Sequence, residues 1–150
     1  MSSYEKYEQD CEKIRRINSQ LLKDFETWLA SKNLSKRTIE KHSSNVDFYI
    51  NEFLLYEDAI EAEDGSDSIG TFLGYWFIHK AGWASQSKIR ESASSIKMFY
   101  QYMLGKEFIE QQDLDNLILA IKKDMPKWLA TVRRYEDTEI DDMDEVWGFK

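Results

Sequence analysis

Two sets of cationic and polar side chains recur at helical spacing, and the chemistry open to them is contact with phosphate. Arg37 and Lys41, flanked by Ser44 and Asn45, lie roughly opposite Ile39, Val46 and Ile50 when the segment is wound at about 100° per residue. Lys36 sits at the start of that segment, where free backbone N–H groups attract anions. Arg90, Ser94, Lys97 and Gln101 follow an i, i+4, i+7, i+11 pattern and share one flank of a later segment, while Lys88 lies on its opposite flank. Side chains of these types donate to phosphate oxygens and set a protein's register on a duplex. They are equally the side chains that any solvated helix carries. Glu40 beside Lys41, and Glu91 between the two later flanks, would repel a closely approaching phosphate. Binding through such a set is expected to be weak, backbone-directed and steeply salt-dependent.

Other chemistry finds no support. Zinc needs clustered Cys and His, and the candidates Cys11, His42 and His79 are far apart with no ligand spacing. The six glycines are isolated and form no phosphate loop, and no nucleophile elbow or Ser/His/Asp order can be read. The expectation is no catalytic residue, no metal, no cofactor and no small-molecule substrate.

The elements that would position the basic residues are helical. One proline and six glycines in 150 residues, with apolar residues at i, i+3 and i+4, argue for long helices and short loops. A first helix spans about Tyr4 to Lys32, with Asn33 as its stop and Ser35 as the next N-cap. A second runs from about Lys36 to Leu54. After an acidic loop, Ile69, Phe72, Leu73, Trp76 and Phe77 make a compact buried helix with Gly82 suited to its C-cap. Ser85 or Ser87 opens a fourth, which Gly105 ends. A fifth starts near Asp113 and points Leu114, Leu117, Ile118, Ile121, Met125, Trp128, Leu129 and Val132 inward, with a kink or break expected before Pro126. In the first helix Tyr7, Cys11, Ile14, Asn18, Leu21, Phe25 and Trp28 alternate by 4 and 3, with Asn18 at a polar core position of a dimeric coiled coil. The simpler expectation is that this helix packs on its own bundle through Ile17 and Leu21 and that its first turns extend beyond it.

Charge subdivides the chain. The net −8 comes from residues 57–67, with six acids and no base, and residues 136–145, with seven acids and no base; without these stretches and Lys150, 19 basic residues face 15 acidic ones. The division expected is an N-terminal helical extension (1–18), a helical domain (19–135) and an acidic, mobile tail (136–150). That tail is either a solvating extension or a polyanion that folds back on the basic flank, and Val146, Trp147 and Phe149 are available for docking. The N-terminal stretch lacks an apolar h-region and no run approaches the roughly 18 apolar residues of a membrane span, so a cytoplasmic protein with no membrane partner is expected. The single cysteine fits a reducing compartment.

Two stretches carry a family resemblance. Residues 25–54, FETWLASKNLSKRTIEKHSSNVDFYINEFL, and residues 83–108, WASQSKIRESASSIKMFYQYMLGKEF, resemble the first and last parts of the core-binding domain of tyrosine recombinases, the phage integrase family. The resemblance implies an all-α, four- to five-helix orthogonal bundle of the SAM-like type that lies on one side of duplex DNA. In that family a separate domain cuts DNA with a Tyr nucleophile, two Arg, a Lys and usually a His-x-x-Arg motif. Here His42 is followed three residues on by Asn45 and His79 by Gly82, and about 40 residues after Gly105 are too few for that domain. Tyr135 is thus not expected to act as a nucleophile.

The resemblance implies a stand-alone, non-cleaving DNA-binding domain that acts as an accessory or competitor in recombination of a mobile element. Its contacts with double-stranded DNA would be Lys36, Arg37, Lys41, Lys88, Arg90, Ser94 and Lys97. The alternatives are a helical protein-interaction module that has lost DNA binding, and the DNA-binding half of a split recombinase. A recombinase, or a second copy through the first helix, is a further expected partner.

Overall fold

Three serines start the helices that matter most. Ser2, Ser35 and Ser85 each stand at an N-cap with extended backbone, and their hydroxyls accept from the backbone N–H of Glu5, Thr38 and Lys88 at 3.1, 3.2 and 3.1 Å. Each satisfies one of the donors that a helix start leaves unpaired. The computed structural model describes the backbone of residues 2–147 and the side chains of residues 2–136. Over the described residues the chain is an all-α bundle without strands.

Its elements are α1 (Ser3–Ala30), α2 (Lys36–Asp47), α3 (Ile69–Thr71), α4 (Phe77–Lys80), α5 (Gln86–Gly105) and α6 (Gln111–Trp147). α2 runs on into a π-helical turn over Phe48–Phe53, and another over Phe72–Trp76 joins α3 to α4, so the chain forms five helical rods. The acidic loop holds two short 3₁₀ turns, Ala62–Asp64 and Ser66–Ser68. Asn33 does end the first rod, in the left-handed region at φ 62°.

α5 ends at Gly105 as expected, whereas Gly82 and Pro126 act otherwise than expected. Gly105 is the last residue of α5, and the left-handed residue is Glu107 at φ 64°. There the Glu107 N–H donates to Leu104 and the Phe108 N–H to Met103, at 2.9 and 3.0 Å, which ties off the end of α5. Gly82 lies beyond a cap at Ala81, whose backbone is extended. Pro126 does not end α6. It is exposed, as is Lys122, whose carbonyl the proline leaves without its helical donor, so water can take that donor's place.

The core joins all five rods. Phe25 meets Phe99 edge-on at 5.4 Å and Tyr49 meets Phe72 at 4.9 Å, with Val46, Ile50, Leu73, Ile96, Trp128 and Val132 buried around them. Two buried phenols pin the acidic loop: Tyr49 donates to the Gly65 carbonyl at 2.6 Å and Tyr100 to the Ala62 carbonyl at 2.7 Å. Burial raises both above the ordinary tyrosine pKa, which keeps them neutral donors. On α6 Leu114, Leu117, Trp128 and Val132 are buried as expected, but Ile118 is exposed.

On α1 it is Asn18, fully buried, that faces the bundle, whereas Ile17 is 53 % exposed. The Asn18 amide donates to the Ile50 carbonyl and to Asn51 Oδ1, at 3.3 and 2.8 Å, inside the π turn. The first turns of α1 also pack on the chain. Tyr7 donates to the Leu55 carbonyl, and Cys11 and Ile14 are buried with Leu55 against Ala59. The 4–3 stripe that suggested a coiled-coil seam is therefore occupied within the molecule. α6 is helical through Trp147, while the acidic side chains from 137 onward, and the docking expected of Val146, Trp147 and Phe149, lie outside the described residues. No helix among the described residues is long and apolar enough to cross a membrane.

Candidate nucleic-acid interface

α2 packs along α5 through small residues. Ser92 and Ser95 of α5 are buried, and a polar network fills the seam. The Ser95 hydroxyl donates to the Glu91 carbonyl at 3.1 Å and accepts from the Asn45 amide at 3.1 Å. His42 Nδ1 lies 2.7 Å from the same oxygen. With the one Ser95 proton directed at a carbonyl, Nδ1 carries the hydrogen of that contact. Burial, and then the Lys41 charge, lower the His42 pKa and favour the neutral ring.

Glu91 terminates the network. Its carboxylate meets Lys41 Nζ at 2.8 Å, Lys88 Nζ at 2.6 Å and accepts from the Asn45 amide at 2.9 Å. Burial pushes this carboxyl up, but the hydrogen bonds from Lys41, Lys88 and Asn45 outweigh it and hold it at about 2. Lys41 and Lys88 thus meet across the seam from two different helices, with one negative charge between them. Glu91, expected to repel a phosphate, is thus a paired charge.

The remaining candidates divide. Lys36 and Arg37 are exposed on the first turn of α2, at the same end as Lys41. Arg90 and Ser94 are exposed and Lys97 half-buried on the other flank of α5, turned away from the Lys88 side by helical geometry. The seven residues are therefore not one cluster. They divide into Lys41 and Lys88 on the α2–α5 seam, Lys36 and Arg37 on the first turn of α2, and a stripe on the α5 outer flank.

That outer stripe has a basic neighbour outside the set expected from the sequence. Gln86, one turn before Arg90, shares an open groove of about 580 Å³ with Pro126, Lys127, Leu129, Ala130, Arg133 and Arg134 of α6. Residues 122–134 hold Lys122, Lys123, Lys127, Arg133 and Arg134 against Asp124 alone, and all five bases are exposed. The signal was legible as a local charge excess. It was masked by the apolar stripe running through the same residues.

The other candidate chemistries do not assemble. Cys11 is buried beside Leu55, and His79 stacks on Tyr75 with Tyr135 5.8 Å beyond it, so these residues pack apart from His42. Glu61, Glu63 and Asp64 bring carboxylate oxygens within 4.8 Å of one another, all exposed. Such a group is an ordinary solvated acidic surface.

No family model and no solved structure matches the chain. Among characterised sequences, 54 % of it, 81 residues, is 35 % identical to a protein of Caldanaerobacter subterraneus subsp. tengcongensis described as "Putative tyrosine recombinase TTE1313". The chain spans 27 % of that relative's length. The bundle is thus similar, over about half of its length, to one part of a longer protein described as a "Putative tyrosine recombinase".

Proposed function

We propose that the chain is a DNA-binding domain of recombinase type, which holds duplex DNA mainly through its phosphates and does not itself cut it. The observation that carries this reading is the meeting of Lys41 and Lys88 across the α2–α5 seam, with Lys36 and Arg37 exposed on the first turn of α2, in a chain similar to a protein described as a "Putative tyrosine recombinase". The helix start at Lys36 adds unpaired backbone donors beside Lys36 and Arg37. Arg90, Ser94 and Lys97, with the bases of α6, offer a second line of contacts beside it. Such a domain acts as an accessory or competitor at recombination sites, or supplies the DNA-binding part of a recombinase whose catalytic residues lie on another polypeptide.

The test is fluorescence anisotropy of a labelled duplex with the full chain at roughly 50 and 200 mM salt, where counterion release is readily seen. Saturable binding that weakens at the higher salt is expected. It should weaken again on joint replacement of Arg37, Lys41, Arg90 and Lys97 by alanine. Absence of binding at the lower salt would overturn the reading in favour of a protein-interaction module, which the pairing of Lys41 and Lys88 by Glu91 and the net charge of −8 would then explain.

A further inference from the structure

At the far end of the second rod from Arg37, the chain leaving the π turn and the face of the third rod enclose a pocket of about 220 Å³. Its walls are aromatic, formed by Phe53, Tyr56, Tyr75 and Trp76, and Glu57 and Asp58 stand on its rim. Tyr56 and Tyr75 are 51 % and 61 % exposed. Trp76 meets Phe53 at 5.3 Å and Tyr56 at 5.6 Å, both edge-on, so three of the four rings are held in one wall. The Trp76 Nε1–H is shielded from solvent and donates to no group among the described residues.

The chemistry that suits this pocket is that of a cation. Aromatic faces attract an ammonium or guanidinium within about 6 Å of the ring centroid, more strongly as water is excluded. One ring already does so, since Lys80 Nζ lies 4.9 Å from the Tyr56 centroid and donates to its hydroxyl at 2.9 Å. Glu57 and Asp58 add negative charge, and neither is in an ion pair among the described residues. A purely apolar side chain would bury the rings without using the carboxylates, and an anion would be repelled by them. We infer that this pocket receives a lysine or arginine side chain of a partner protein. This site is independent of the DNA reading, because it uses none of the same residues.

The inference is tested by two-dimensional NMR of the full chain, following the Trp76 indole resonance on addition of N-acetyl-lysine amide. N-acetyl-norleucine amide, which lacks the ammonium, serves as the matched control. The lysine probe is expected to saturate and to bind at least about 5-fold more tightly than norleucine, which corresponds to the lower range of cation–aromatic attraction. Tyr75→Leu and Asp58→Asn should each weaken it about 3-fold or more while leaving distant resonances in place. Equal shifts with both probes would reduce the pocket to an apolar cleft, and absence of a saturable shift would remove the site. Shifts at Trp76 that grow with protein concentration alone would make a second copy the occupant and overturn the separate partner.

Discussion

Glu91 receives Lys41, Lys88 and an Asn45 amide at once, so the α2–α5 seam presents one net positive charge where two lysines stand. A phosphate approaching the seam must compete with a carboxylate already in place. Glu91→Gln keeps the shape and removes that competitor. It is expected to tighten DNA binding several-fold at low salt and to steepen the salt dependence by about one phosphate contact. Unchanged affinity in the anisotropy titration would mean that phosphate does not reach this seam. The same residue has a pH signature. Its folded pKa, about 2, lies below the ordinary carboxyl value of 4.5, so its contribution to stability is present above 4.5 and is lost as pH falls toward 2. His42 is lowered as well, so acidification below its ordinary value of 6.5 also destabilises the fold, because the unfolded chain takes up that proton first. Denaturation midpoints measured from pH 7 down to 2 should fall throughout. The Glu91→Gln protein should show a shallower fall below 4.5.

At the scale of the elements, the two π turns each admit an extra residue per turn, and the first is braced from α1. Asn18 supplies the Ile50 carbonyl and Asn51 with a donor from outside their own helix. Asn18→Leu leaves that buried carbonyl unpaired and is expected to cost about 1–3 kcal/mol, read as a lower Tm. The Asn18 Oδ1 has no partner among the described residues, so the apolar replacement recovers part of the cost. A variant as stable as the parent would show that the π turn does not need α1. α6 carries the second prediction. Its Lys127, Arg133 and Arg134 line a groove with Gln86, one turn before Arg90 on α5. Replacing Lys127 and Arg133 with alanine should weaken DNA binding and lower the salt slope by about one for each phosphate that is no longer neutralised. If Arg90→Ala and Lys97→Ala weaken binding and the α6 pair does not, the DNA-facing stripe is confined to α5.

For the whole molecule, the decisive quantity is how an acidic total is distributed. Removing residues 136–150 takes away seven acids and Lys150 and moves the net charge from −8 to −2. If the tail competes with DNA for the basic residues, the shortened chain binds more tightly at roughly 50 mM salt, and the difference narrows at 200 mM as charges beyond a Debye length are screened. Equal affinity at both salts would make the tail a bystander.

The helical class, the placement of most helices and their starts were legible in the residues alone, because these depend on local physics. Serine caps, apolar spacing and the scarcity of proline act within a few residues of each other, and Ser35, Ser85 and Asn33 hold the roles that their types imply. The sequence did not show that Gly82 lies beyond its helix's cap, that Glu107 rather than Gly105 takes the left-handed turn, or that α6 continues through Pro126 without a break. A hydrogen-bonded C-terminal turn can seat Glu107 in the left-handed region, and a solvent-facing carbonyl tolerates the loss of its donor. Only the tertiary structure decided which side of each helix meets which neighbour. The choice of Asn18 over Ile17 for the core depended on an unpaired carbonyl 32 residues away. The union of Lys41 with Lys88 through Glu91, the Gln86 groove on α6 and the aromatic pocket at Trp76 likewise join segments remote in sequence. Helical periodicity fixes angles around one axis, and it carries no information about the packing of one axis against another.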